Sequence, residues 1–252
     1  MNILFTICGR AGSKGVKNKN IKQFLGTPLI NYTIASSMLF KEKNSNYNID
    51  ICVNSDSEEL ISIATKTSVV IGIKRSIELA QDHSPKIPVI VYSLKYMEEL
   101  RSIKYDYVID LDITSPLRKV EDIENALSKC IKNSNVDVAF SVVPSRRNPY
   151  FNMVEVKDNK AKKVINSSFV ARQQAPQVYD MNASIYCYKR DSLYNVFKAS
   201  PFDGLFDIIL MKDTAVLDID SEEDFELMEL LAPHLLNNEF LELNKYIYDR
   251  FI

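Results

Sequence analysis

Asn2-Ile3-Leu4-Phe5-Thr6-Ile7-Cys8 runs directly into Gly9-Arg10-Ala11-Gly12-Ser13-Lys14-Gly15. The first stretch is apolar and rich in β-branched residues, and a short run of this kind ending at glycine reads as a buried strand, centred on Ile3–Ile7. The loop after it is basic. Residues 1–41 carry six Lys/Arg and no Asp or Glu, a local net of +6, while the rest of the chain holds 25 Lys/Arg against 33 Asp/Glu. Gly9, Gly12, Gly15 and Gly26 are four of only six glycines. A glycine-rich cationic loop presents backbone N–H groups and positive charge to a polyanion. A solvated basic loop would have the same composition; its place immediately after a buried strand favours the ligand reading.

Outward from this point, short β-branched runs alternate with helical patterns. Strands are expected at Ile3–Ile7, Ile49–Val53, Val69–Ile73, Tyr107–Leu111, Val136–Val143, Ser184–Tyr188 and Ala215–Ile219. Helices are expected at Leu29–Phe40, Ser57–Lys66, Ile87–Leu100, Val120–Lys132, Asp191–Ala199 and Ser221–Leu231. Pro28 and Pro88 stand near first turns, and Ser221 with Asp224 has the spacing of a capping box. Such alternation predicts an α/β fold, a three-layer sandwich around a mostly parallel sheet. Ligands bind such sheets beyond the carboxyl ends of the strands, where the loops at Gly9, Asn54, Thr114 and Asp220 would gather.

One stretch breaks the rhythm. Residues 144–181 show no amphipathic helix; instead Phe151–Val156 and Ala161–Ile165 flank Lys157-Asp158-Asn159-Lys160, a β-hairpin with an Asp-Asn turn. The expected organisation is one domain over residues 1–252, with 144–181 a projecting insertion that covers the site or pairs with a second subunit.

Composition excludes several classes. The chain has 252 residues, 46% hydrophobic and 25% charged, which is ordinary globular usage. No apolar run approaches the roughly 20 residues that cross a bilayer, and no basic leader precedes the opening strand. No membrane association and a cytoplasmic location are therefore the expectation. Cys8, Cys52, Cys130 and Cys187 stand 44, 78 and 57 positions apart, which fits neither a zinc site nor a disulfide framework. With a pI near 5.8 and one short cationic stretch, the chain is a poor electrostatic match for nucleic acid.

The loop fits neither familiar phosphate signature. Its spacing is Gly-x-x-Gly-x-x-Gly rather than Gly-x-Gly-x-x-Gly, and Ser13 precedes Lys14 instead of following it as a Walker loop requires. That order argues against a kinase or NTPase. What remains is a long open loop carrying Arg10, Lys14 and Lys19.

The segment Ile7 to Gly15 with Lys19-Asn20 resembles the signature of the N-acylneuraminate cytidylyltransferases (CMP-sialic acid synthetases). Further matches follow in order: Asn54-Ser55-Asp56, Leu79-Ala80-Gln81-Asp82, Thr114-Ser115-Pro116-Leu117-Arg118, Arg172-Gln173 with Pro176, and Asp218-Ile219-Asp220. The resemblance runs to about Leu231. Three places depart from the sialic acid branch: Asp112 where glutamine is usual, Asn148-Pro149-Tyr150-Phe151-Asn152 without the usual lysine, and Asp180-Met181-Asn182-Ala183-Ser184 in place of Pro-Asn-Gly-Ala. With Arg146-Arg147, the set looks more like the branch that activates legionaminic acid, a diacetamido relative of sialic acid; CMP-N-acetylneuraminate synthesis is the alternative.

The resemblance implies a Rossmann-like nucleotidyltransferase that joins an acidic nine-carbon sugar to CMP, using CTP and Mg²⁺ and releasing pyrophosphate. It implies catalytic roles for Asp218, Asp220, Arg10 and Lys19, and nucleotide contacts from Arg10, Ser13, Lys14, Lys19, Asn20, Asn54 and Asp82. Asp218 and Asp220 are the expected metal ligands: two residues apart on a strand they would share a face, and Mg²⁺ takes one or two carboxylates plus phosphate oxygens. Sugar contacts are implied for Asp112, Thr114, Ser115, Arg118, Tyr150, Phe151, Arg172, Gln173 and Tyr179, with Arg172 facing the sugar carboxylate. Two alternatives stay open: Arg118 as a buried ion-pair partner, and the aromatics as interface core. The family is usually dimeric, and the 144–181 insertion is the expected contact.

Overall fold

The computed structural model describes residues 1–12, 15–81, 84–213 and 218–252. Ile3, Leu4, Phe5 and Ile7 of β1 (Asn2–Cys8) are all fully buried. A strand covered on both faces must be apolar on both, hence the unbroken run. On one side β1 pairs parallel with β4 (Asn48–Ser55), and β4 pairs parallel with β5 (Val70–Lys74). On its other side lies parallel β6 (Tyr107–Leu111). The sheet continues through β10 (Tyr179–Lys189) and β7 (Val138–Pro144) to an edge strand, β11 (Phe206–Leu210), giving the order β11-β7-β10-β6-β1-β4-β5. Only β10 runs antiparallel to its neighbours.

Side-chain alternation along the strands divides the core. Ile3, Phe5 and Ile7 pack on one face with α1 (Ile30–Lys43), α2 (Glu58–Ala64), α4 (Val120–Lys132), α6 (Glu222–Leu236) and α7 (Leu241–Phe251). Leu4 and Cys52 pack on the other with α3 (Lys86–Arg101) and α5 (Arg190–Asn195). The result is the expected three-layer sandwich. Ser57 caps α2 by accepting from Leu60 N at 3.2 Å, with Glu58 and Glu59 in its first turn, where the helix dipole favours acids. The capping box at α6 forms as its spacing predicts: Ser221 Oγ accepts from Asp224 N and Asp224 Oδ2 from Ser221 N.

Several elements differ from the sequence expectation. β11 was not anticipated, being a five-residue edge strand interrupted by Asp207. Nor was α7, although Leu243, Tyr246 and Ile247 stand at helical spacing and are its buried residues. Two short strands, β2 (Gln23–Phe24) and β3 (Thr27–Pro28), form a small hairpin before α1. The expected strand Ala215–Ile219 lies partly outside the described residues, and Asp218 to Asp220 are irregular. In the insertion, β8 (Val154–Lys157) and β9 (Lys160–Lys163) form the expected hairpin, with Asp158 at φ 54° and Asn159 at φ 59°. Two left-handed residues are what a two-residue type I′ turn needs, and Asp and Asn tolerate them.

β10 is longer than expected and is interrupted between Met181 and Tyr186, with Ala183 at φ 50°. A side chain in that region costs about 1–2 kcal/mol. Surrounding bonds impose it: Asn182 O accepts from Ser115 Oγ at 3.0 Å, and Ser141 Oγ accepts from Ile185 N at 2.9 Å. Ala183→Gly should therefore raise the unfolding free energy by about 0.5–1 kcal/mol, relief of strain outweighing glycine's added chain entropy. A urea titration showing a lower midpoint in the variant would refute this.

Candidate active site

The carboxyl ends of β1, β4, β5 and β6 bring the glycine loop, Asn54, Arg75 and Asp112 to one edge of the sheet. The loop is fixed where it leaves β1. Gly9 N donates to Asn54 O at 3.2 Å, Ala11 N to Asp56 Oδ1 at 2.8 Å, and Asn20 Nδ2 to Arg10 O at 3.1 Å. A turn at Lys19–Ile21 then carries Lys19 back toward a distant segment. Lys19 Nζ donates to the carbonyl of Ile219 and, at 3.2 Å, to Asp220 Oδ1. Gly15 backs onto the same place: a Cβ there would lie 1.8 Å from the Asp220 carbonyl oxygen. The basic loop and the acid pair, 200 residues apart, thus form one surface. Ser13, Lys14 and Asp82 lie outside the described residues.

Beside them stand Asp112 and Asp218. Asp112 Oδ1 accepts from Thr114 N (3.3 Å) and Thr114 Oγ1 (3.2 Å), and its Oδ2 from Lys86 Nζ at 2.7 Å. Burial would raise the Asp112 carboxyl, but the Lys86 ammonium and its hydrogen bond outweigh burial and hold it below the ordinary value. Asp218 has no such partner. Its Oδ1 is buried without a hydrogen bond. Burial above all, with help from Asp112 and Asp220, pushes its carboxyl up to about 6, against the opposing effects of the Thr114 side chain and Lys19. Ile219 N donates to Thr114 O at 3.1 Å, tying the acid segment to the β6 loop. A buried carboxylate oxygen with no donor among the described residues, next to an exposed second carboxylate, is a donor set that fits a hard divalent cation. The pair does not share the face of a strand, as its spacing suggested; Asp218 is partly buried and the Asp220 side chain is 78% exposed.

Three predicted residues are buried and act through others. Asn54 is inaccessible: its Oδ1 accepts from Arg75 Nε at 2.8 Å, its carbonyl from Arg75 Nη2 at 2.9 Å, and its Nδ2 donates to Ser93 Oγ at 3.0 Å. Arg118 and Ser115 are buried beneath the β6 loop. Arg118 Nη2 donates to the carbonyls of Asp112 and Ser115, and its Nε to Ser184 Oγ at 3.2 Å; burial pushes its guanidinium down to about 10. These side chains shape the loop that carries Asp112 and Thr114.

The insertion residues occupy a separate place. Arg172 Nη2 donates to Ser145 O at 2.6 Å, and Arg172 and Gln173 line a cavity of about 270 Å³ with Asn148 and Pro176. Tyr150 packs edge-on against Phe169, Phe151 is half-buried in the same segment, and Tyr179 faces Pro144 at the start of β10. A second cavity, of about 220 Å³, is lined by Cys8, Arg10, Arg75, Gln81, Lys86 and Asp112, among others, and shares no residue with the first. Arg172 and Asp112 thus line different cavities of the chain.

A family model described as Cytidylyltransferase matches residues 4–242. The chain belongs to the cytidylyltransferase family. It is 42% identical over 229 residues to "Post-translational flagellin modification protein B" of Campylobacter coli, covering 91% of this chain and 94% of the relative. It is 41% identical over 232 residues to "CMP-N,N'-diacetyllegionaminic acid synthase" of Campylobacter jejuni, covering 91% and 94%. A solved structure of CMP:2-keto-3-deoxy-manno-octonic acid synthetase complexed with CTP superposes with a TM-score of 0.65 at 15% identity, covering 93% of this chain and 99% of that one; this likeness concerns the fold.

One residue in the cytidylyltransferase's cavity escaped the sequence reading. Lys86, the first residue of α3, reaches both Asp110 and Asp112 at 2.7 Å. A signal was present, because a cation at a helix start opposes the dipole and needs a carboxylate nearby. Which carboxylates they were could not be read locally.

Proposed function

We propose that this cytidylyltransferase transfers CMP from CTP to the anomeric hydroxyl of a nonulosonic acid, legionaminic acid or a close relative, and releases pyrophosphate. The observation that carries the reading is the junction of loop and acids: Lys19 and Gly15 on one side, Asp218 and Asp220 on the other. In the reaction the anomeric oxygen bonds to the α-phosphorus as the bond to the β-phosphate bridge breaks. Phosphoryl transfer of this type needs alignment and charge neutralisation more than covalent help. Arg10 and Lys19 supply fixed positive charge where the triphosphate would lie, and Asn20 holds the Arg10 backbone in place. Asp218 and Asp220 would hold Mg²⁺, which when bound neutralises the charge of the transferring and leaving phosphates. Thr114 and Asp112 offer hydrogen bonds to the sugar. The relative named CMP-N,N'-diacetyllegionaminic acid synthase supports this sugar class.

Pyrophosphate release should require CTP, Mg²⁺ and a nonulosonic acid together. Nucleotide hydrolysis without sugar would point instead to an NTPase, and no release with any nonulosonic acid would overturn the reading.

We also propose that the protein is a homodimer. Arg172 and Gln173 line a different cavity from Asp112, and Val154, Val156 and Val170 of the insertion are 69%, 71% and 81% exposed. A second subunit would cover this apolar surface and bring an Arg172 to each crevice. Light scattering should give twice the 28.8 kDa of one chain; a monomer mass would refute it. A cytoplasmic setting agrees with the four free cysteines. Among the described residues no helix is long and apolar enough to cross a membrane.

A further inference from the structure

Asp218, Ile219 and Asp220 belong to no strand or helix, so no ladder of backbone bonds fixes the two acids. Side chains and one loop carbonyl do so instead. Ile219 N donates to Thr114 O at 3.1 Å, and the Ile219 carbonyl accepts from Lys19 Nζ. One residue further on, Asp220 N donates to Asp224 Oδ2 at 3.1 Å. The same oxygen accepts from Ser221 N and from Ser221 Oγ, each at 2.8 Å. Asp224 therefore does more than a capping box asks of it. The box needs its carboxylate only at the N-cap N–H, here that of Ser221. The bond to Asp220 N lies one residue outside the helix, and α6 does not require it. The first bond of α6, from Phe225 N to Ser221 O at 3.1 Å, is formed, and Glu222 and Glu223 already put acids at the positive end of the dipole.

What the extra bond holds is Asp220. That side chain is 78% exposed, and Lys19 Nζ at 3.2 Å is its ion-pair partner among the described residues. An exposed carboxylate with so little around it is aimed chiefly by its own backbone, since fixing φ and ψ fixes the direction of the Cα–Cβ bond. Asp224 Oδ2 takes the N–H groups of two successive residues and so fixes that backbone where it turns into α6. Asp224 is not itself a third ligand: among the described residues no three His, Cys, Asp or Glu side chains gather as a metal site would require. We propose that Asp224 is a positioning residue for the reaction, its carboxylate orienting Asp220 toward the cation that Asp218 and Asp220 would hold. This rests on the assignment of Mg²⁺ to those two acids above.

Two quantities test it on the full chain: the Mg²⁺ concentration giving half the maximal rate at saturating CTP and sugar, and the rise in Tm that Mg²⁺ produces with CTP and no sugar. Asp224→Ala should raise the half-saturating Mg²⁺ concentration about tenfold or more, with kcat at saturating Mg²⁺ changed less than about threefold, and should shrink the rise in Tm. Asp224→Asn keeps an oxygen acceptor and the shape without the charge, and should stay within about threefold of wild type in Mg²⁺ requirement. Ser221→Ala breaks the capping box but leaves Asp224 free to accept from Asp220 N. It should lower the metal-free Tm by a few degrees, as Asp224→Ala does, and leave the Mg²⁺ requirement within about threefold of wild type. Equal shifts in Mg²⁺ requirement for Ser221→Ala and Asp224→Ala would mean that only the helix cap matters. An asparagine variant as impaired as the alanine variant would mean that only the charge matters. Either result, or a wild-type Mg²⁺ response in Asp224→Ala, overturns the inference. A wild type whose rate and Tm do not respond to Mg²⁺ overturns the metal assignment instead, and so the two failures are told apart.

Discussion

Asp218→Asn and Asp220→Asn should each lower kcat by at least about 10³-fold, equivalent to roughly 4 kcal/mol of transition-state stabilisation. The expectation comes from the donor set, in which a buried Asp218 oxygen has no hydrogen-bond partner among the described residues and an exposed Asp220 carboxylate sits beside Lys19. An amide in either place removes the charge that would bind the cation and preserves the shape. Near-normal turnover in both variants would refute the metal role. Stability should move the opposite way for Asp218. Its folded-state carboxyl is raised to about 6, above its ordinary 3.8, so the charged form is disfavoured by folding. At pH 3 or below the acid is largely protonated in both states and costs nothing. As the pH rises from about 4 to about 6 the metal-free wild type loses stability that the asparagine variant keeps, and above that range the loss is complete. With partial exposure discounted, the difference is about 1–2 kcal/mol, or a few degrees in Tm at pH 8 and almost none at pH 3. Melting curves in chelator at the two pH values check this. An equal offset at both would show that packing, not ionisation, is responsible.

Gly15→Ala should reduce kcat/KM by about 10²-fold or more. The added methyl would lie 1.8 Å from the Asp220 carbonyl oxygen, a backbone atom that no rotamer change can move aside. The loop and the acid segment would have to separate, breaking the Lys19–Asp220 pair and displacing the cations of the loop from the carboxylates by about an ångström, a misplacement that commonly costs this much in an active site. Gly12 provides the contrast. It has φ +71° and no atom within 4 Å of a built Cβ, so Gly12→Ala meets backbone strain only. An equal loss in both variants would mean that the loop's fit to its ligand, not its contact with Asp220, governs activity.

Much of this protein was legible in short windows. The apolar run Ile3–Ile7, the capping box at Ser221 and Asp224, and the turn at Asp158 and Asn159 each depend on residues within a few positions, where backbone sterics and local hydrogen bonds decide. The ordered motifs likewise pointed to the cytidylyltransferase family. β11 and α7 were harder, the first because an edge strand needs only one buried residue, Ile209, and the second because its apolar positions are few.

The chain's own order of residues thus settled most of the buried strands and the helices between them, and that a cationic glycine loop follows the first strand. It did not settle which of them meet. Lys19 finds Asp220 two hundred positions away, Lys86 finds Asp110 and Asp112 across a strand and a helix, and Arg118 turns beneath a loop where the sequence allowed it a place at the sugar. The physical reason is one of range. Propensity and periodicity act within a turn or two of chain, whereas the pairing of distant charged groups is chosen by the packing of the whole sheet, which brings them out of water together and leaves each to be satisfied by whatever the fold puts beside it.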